Sequence, residues 1–116
     1  MNAAITPAAV LAALAHHIGR NNGVTAARLA AEAAGLDSIQ SHYAERQLRE
    51  IVVALRLEGH HVCATPEHGY FLAANAEELD ATCLFLHERA MTTLKQIAAM
   101  KRISLPDLRG QLHLPT

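Results

Sequence analysis

Four apolar side chains in the middle of this chain, Leu48, Ile51, Val52 and Leu55, recur at spacings of three, four and seven residues, which puts them on one face of a helix. Ala44 extends that face by one turn. Gly59 stands where the helix needs a residue that accepts a left-handed backbone in order to stop. Two short apolar-rich runs follow, His61-Val62-Cys63-Ala64 and Tyr70-Phe71-Leu72, with Thr65-Pro66-Glu67-His68-Gly69 between them. Proline and glycine between two such runs punctuate a hairpin. The stretch from Tyr43 to Leu72 therefore demands a helix, an abrupt stop and two short strands. The rest of the chain must cover the helix's apolar face.

The residues before it meet that demand with two more helices. Thr6 is a cap and Pro7 suits the first helical position, where its missing N–H is no loss. Val10, Leu11, Leu14 and Ile18 then read as one stripe, ended by Gly19 and the loop Arg20-Asn21-Asn22-Gly23, with His16 and His17 as one exposed and one half-buried side chain of that helix. Gly23-Val24-Thr25 reads as a very short extended piece. Thr25 caps a second helix, Ala26 to Ala34, stopped by Gly35, with Leu29, Ala33 and Leu36 facing inward. Asp37, Ser38 and Ser41 are all candidate caps for the third helix, so the turn before it is long for a tight helix-turn-helix.

After the hairpin, Asn75 or Ala76 begins a fourth helix that runs to Lys101 or Arg102. Its acids, Glu77, Glu78 and Asp80, lie at the start and its bases at the end, which suits the helix dipole. Leu79, Cys83, Leu86, Ala90, Leu94 and Ile97 recur in steps of three and four along it, a heptad-like seam widened by Leu84, Met91 and Ala98. One face would serve to pack on the preceding domain. The extra width suggests a partner helix, most simply a second copy. Residues 103–116 read as a partly ordered tail, in which Ser104-Leu105-Pro106-Asp107 can start one more turn before Gly110.

Composition narrows the function. Apolar residues make up 51% of the 116, so the chain is globular, while aromatics are only 3%, so the core must be built from Ala, Leu, Ile and Val. Two cysteines give no disulfide framework, and no apolar run approaches the ~18 residues of a membrane helix. No basic residue precedes the apolar N-terminal run, so a soluble, cytoplasmic protein is expected. The formal net charge is −1, without the basic excess common in nucleic-acid binders.

The order helix, short extended piece, helix, helix, strand, strand resembles a winged helix-turn-helix. The match is closest at L-R-x-E-G-H, Leu55 to His60, and P-x-x-G-Y-x-L, Pro66 to Leu72. These resemble the biotin-repressor-type winged helix and small prophage-encoded DNA-binding relatives, in which the Gly-Tyr pair closes the wing. The resemblance covers residues 6 to 74. It implies a mostly α fold with a small β-hairpin, a winged helix-turn-helix over residues 1–75, followed by a long C-terminal helix over 76–102. It also implies binding of double-stranded DNA and a role in transcription regulation. No counterpart of the biotin repressor's catalytic domain is expected, so its ligand chemistry is not carried over.

The residues that would read DNA follow from the third helix. His42, Arg46 and Arg49 lie away from its apolar side, near the N-terminal end that enters a major groove in such proteins, and Tyr43 and Gln47 could add polar contacts. Arg28 and Arg20 are candidates for phosphate, and His68 sits near the tip of the wing. Arg46 and Arg49 are flanked by Glu45 and Glu50, and residues 1–75 hold five arginines against six acids. A single copy should therefore bind weakly, and a homodimer through Leu79, Cys83, Leu86, Ala90, Leu94 and Ile97 would double the contacts. From Arg89 to Arg109 there are five basic residues and one acid, Asp107.

Other chemistry has less support. His60, His61, Cys63 and His68, or Cys83 with His87, invite a metal, yet no C-x-x-C or H-E-x-x-H spacing is present. No glycine-rich phosphate loop or activated nucleophile stands out, so neither an enzyme nor a cofactor is expected. The competing expectation is an adaptor that binds another protein through its C-terminal helix or tail, without DNA.

Overall fold

Thr6, Thr25 and Ser41 open three successive helices in the same way. Each side-chain oxygen accepts the backbone N–H three residues on, from Ala9 (3.1 Å), Arg28 (3.2 Å) and Ala44 (3.3 Å). A cap of this kind stabilises a helix by about 1 kcal/mol and fixes where it starts. The computed structural model describes residues 5–39 and 41–102; the expected tail, with Ser104–Asp107 and Arg109, lies outside the described residues. The helices are α1 (Pro7–Leu14), α2 (Ala26–Ala34) and α3 (His42–Leu57), followed by strands β1 (Val62–Thr65) and β2 (Gly69–Leu72) and helix α4 (Ala76–Lys101). The chain is thus mostly helical, with a two-stranded antiparallel hairpin and a long C-terminal helix. No described helix is long and apolar enough to cross a membrane.

The core sits between α1, α2 and α3. Val10, Leu14, Leu29 and Leu48 are completely buried in it, and Ala44, Ile51, Val52 and Leu55 join them from the face of α3 read in the sequence. At the C-terminus of α3, the Gly59 N–H bonds to the Arg56 carbonyl (2.9 Å) and the His60 N–H to that of Leu55 (3.0 Å). With Gly59 at φ +96°, this is the pattern in which a glycine reverses the chain and satisfies the last carbonyls.

The stripe expected on the first helix is shorter than its spacing implied. α1 ends at Leu14, and Ile18 is exposed instead of continuing the stripe. Sheet pairing wins over helix extension there. The Leu72 N–H donates to the His17 carbonyl and the Gly19 N–H to the Leu72 carbonyl, each at 2.8 Å, so Ile18 bridges Leu72 in parallel. Val24 bridges Tyr70 antiparallel, as the extended reading of residues 23–25 expected. β2 is therefore paired on both edges, to β1 on one side and to residues 17–24 on the other. Leu36 also departs from expectation. It follows the left-handed Gly35 and is exposed instead of facing inward.

In the hairpin, Val62 pairs with Leu72 and Thr65 with Gly69, leaving Pro66-Glu67-His68 as the loop. Gly69 has φ +73°, and a Cβ there would strike the Val24 carbonyl; a Cβ on Gly23 would strike the His68 carbonyl. This mutual approach of two glycine backbones is what brings the hairpin against the start of α2.

The chain divides into two units between Thr82 and Cys83. The first contains α1 to α3, the hairpin and the opening turns of α4, so the division falls within α4 and not at residue 75. Within this unit the Asn75 side chain caps α4 by accepting the Glu78 N–H at 2.9 Å, and Glu78 and Thr82 are buried. The second unit begins with residues that are exposed in an unbroken run, Cys83 to Ala90.

Candidate nucleic-acid interface

α3 is held by its apolar face, so its other face is presented to solvent by a rigid support. His42 and Tyr43 are exposed on the first turn, Tyr43 at 69%, and Arg46 and Arg49 are exposed on the next two. Gln47 is half-buried and stands closer to the core edge than the others. Glu45 reaches His42 at 3.9 Å. Neither Glu45 nor Glu50 makes an ion pair with Arg46 or Arg49, and among the described residues these two arginines have no hydrogen-bond or ion-pair partner.

The remaining arginines of the first unit are committed. Arg56 donates from Nε to the Val62 carbonyl at 2.8 Å and ties α3 to β1. Arg28 pairs from Nε with Glu32 Oε2 (3.2 Å) and donates from Nη1 to the Asp37 carbonyl (3.1 Å). The other Glu32 oxygen lies 2.7 Å from His17 Nε2, while His17 Nδ1 donates to the Asn22 carbonyl at 2.9 Å. Arg28 thus belongs to a polar chain joining the end of α1, α2 and the turn before α3.

Arg20 is held by acids. Its Nη2 lies 3.7 Å from Glu77, and both its backbone N–H (3.1 Å) and its Nε (3.4 Å) donate to Glu78 Oε2. Glu78 Oε1 accepts the Ala74 N–H at 2.8 Å. The Ala74 N–H first, then that of Arg20, holds the Glu78 carboxyl below the ordinary carboxylate range; its desolvation opposes this, and the Arg20 side chain adds to the lowering. Glu78 fastens the start of α4 to the turn after α1. Sequence reading treated it only as a favourable charge at a helix start. The signal was Asn75-x-x-Glu78, a capping pattern in which the acid reaches back to orphan N–H groups.

The residues expected to read DNA fall in two places. Arg28 and His42 line neighbouring surface hollows that share Ala27 and Ile39, so α2 and the first turn of α3 come together. His68 is elsewhere. Its N–H donates to Thr65 Oγ1 at 2.9 Å, its Nδ1 lies 3.1 Å from the same oxygen, and it lines a hollow with Arg20, Phe71 and Glu78. The imidazole is folded back on the hairpin loop, whose exposed members are Pro66 and Glu67. Two further features escaped the sequence reading: Val53 and Leu57 are 52% and 84% exposed on the outer face of α3, following Arg49 by four and eight residues. Among the described residues, no three His, Cys, Asp or Glu side chains gather as a metal site would require. Cys63 is buried, with Sγ 3.7 Å from the Glu78 carbonyl.

Comparison with family models, with curated proteins and with solved structures found no match to this chain.

Proposed function

We propose that the chain is a winged helix-turn-helix protein that binds double-stranded DNA through α3 and acts as a dimeric, sequence-specific transcriptional regulator. One observation carries this reading: of the five arginines in residues 1–75, Arg20, Arg28 and Arg56 are paired within the fold, whereas Arg46 and Arg49, on the solvent face of α3, are not. A guanidinium on a buttressed helix, near its N-terminal half, is placed to meet guanine edges or phosphates of a major groove. His42 and Tyr43 add polar reach at the entering end. The hairpin, with Glu67 at its loop and His68 folded back, contributes little positive charge, so α3 carries the recognition.

The test is selection on random duplexes followed by gel shift at fixed salt. Arg46→Ala and Arg49→Ala should each weaken the selected complex by about 1–3 kcal/mol if they read bases. Absence of any duplex preference, with no effect of either substitution, would overturn the proposal.

A second reading is a winged-helix adaptor that binds another protein through α4. The observation behind it is the exposed run Cys83 to Ala90, with Leu84 at 58% and Phe85 at 43%. A protein partner retained after removal of Arg46 and Arg49, with no duplex bound, would favour it.

A further inference from the structure

Thr82 is a buried polar residue whose hydroxyl has nothing to bond. The residue is 5% exposed, and its side chain makes no hydrogen bond among the described residues. Every fully buried polar side-chain atom described does have a partner, so the little surface that Thr82 keeps includes its hydroxyl. That surface opens into a cleft of about 280 Å³, the hollow that His68 also lines. The cleft lies wholly inside the first unit. The hairpin loop and Phe71 form one wall and Arg20 a second. The third is the start of α4, where Glu78, Ala81 and Thr82 share one face at spacings of three and four.

The groups in the cleft are out of balance in hydrogen bonding but not in charge. The Arg20 Nε donates to Glu78 Oε2 at 3.4 Å, and the other Glu78 oxygen takes the Ala74 N–H at 2.8 Å, so the two inner charges offset each other. Glu67, at the mouth, is exposed to solvent, where its charge is screened. Three polar groups are left over among the described residues: the Thr82 hydroxyl, Arg20 Nη1, and His68 Nε2, whose ring partner Nδ1 lies 3.1 Å from Thr65 Oγ1. All three can donate a hydrogen bond. The remaining walls are mostly apolar, from Phe71, Pro66 and Ala81. A few convergent polar groups on apolar walls are what a small-molecule site offers.

We propose that this cleft binds a small uncharged molecule, an apolar body of about ten non-hydrogen atoms bearing one oxygen that accepts from Thr82 and His68, since ~150 Å³ takes up benzene. The class follows from the site. Apolar walls disfavour an ion, the Arg20–Glu78 pair leaves no net charge to attract one, and the spare donors call for an acceptor. This goes beyond the reading of α3 as a DNA-binding helix and does not depend on it.

The experiment is a titration of the full chain followed by amide NMR shifts. The probes are benzamide and benzyl alcohol, both uncharged, beside benzoate and benzylammonium, which have similar size and carry charge. An uncharged probe should give saturable shifts clustered at His68, Phe71 and Thr82, with a Kd of about 1 mM or below. Each charged probe should bind at least roughly fivefold more weakly. Thr82→Val keeps the shape and removes the hydroxyl, and should weaken binding about fivefold. Ala81→Phe, at an exposed position, should fill the mouth of the cleft and abolish binding while the rest of the spectrum stays folded. The Arg46→Ala, Arg49→Ala double variant should bind the probe as the wild type does, which separates this result from the fate of the DNA reading. Absence of saturable shifts with both uncharged probes would overturn the site, as would binding unaffected by Ala81→Phe. Tighter binding of benzoate or benzylammonium would overturn the ligand class, and unchanged affinity in Thr82→Val would overturn the part given to the hydroxyl.

Discussion

α3 and α4 both carry apolar residues at helical spacings, but α3 buries its apolar face whereas the stretch from Cys83 to Ala90 of α4 stays exposed. Leu48 and Leu55 are buried against α1 and α2, and the polar side of α3 is left with two unpaired arginines. In α4, Leu84 and Phe85 remain in water through the run from Cys83 to Ala90. Burial of one face is what makes the opposite face of α3 a stable platform. An apolar surface without internal cover marks a place where another molecule is wanted. The two helices thus divide the work in the proposed regulator, α3 to meet DNA and α4 to meet a second copy.

Substitution can break this contrast. The largest effect is expected at Leu48→Ala, which empties a fully buried site and should cost about 2–5 kcal/mol of stability in urea denaturation. Next comes Gly69→Ala. A Cβ at φ +73° meets the Val24 carbonyl, and the loss should be on the order of 2–3 kcal/mol, with the hairpin loosened from α2. Glu78→Gln tests, through pH, how the start of α4 is fastened to the turn after α1 within the first unit. The Glu78 carboxyl is held below its ordinary value, so its contribution is complete above the unfolded value of about 4.3 and is lost as pH falls through the folded value. The variant should be less stable at neutral pH and should lose less than the wild type on acidification, as measured by thermal melts across the acid range. The smallest effect on the folded monomer is expected at Leu84→Ser, within about 0.5 kcal/mol, because that side chain is 58% exposed. Equal losses at Leu48 and Leu84 in dilute solution would erase the distinction between the helices.

Much of the fold was legible because its signals are local. Thr6, Thr25 and Ser41 cap the helices they precede, Gly59 ends α3, and the face Ala44, Leu48, Ile51, Val52 and Leu55 is the buried one. Ile18 was misread because its partner, Leu72, lies far along the chain, and a bridge to it outweighs helical spacing. Leu36 was misread because the left-handed turn at Gly35 redirects everything after it. The candidate site was legible at α3, where helical geometry alone separates Arg46 and Arg49 from the apolar side. It was not legible where long-range pairing decides availability. Sequence could not show that Arg20 is held by Glu78, 58 residues away, whereas the pairing of Arg28 with Glu32, four residues on along α2, is a local signal.

The central claim is that the two unpaired arginines of α3 read duplex DNA. It is tested most directly by fluorescence anisotropy on a selected duplex and on a scrambled one, comparing the wild type with an Arg46→Ala, Arg49→Ala double variant across a salt series. The account predicts a wild-type preference for the selected duplex, lost in the double variant, whose folding is unchanged and whose dependence on salt is shallower. Equal binding of both duplexes by the wild type, with an unaltered salt slope in the variant, would contradict it.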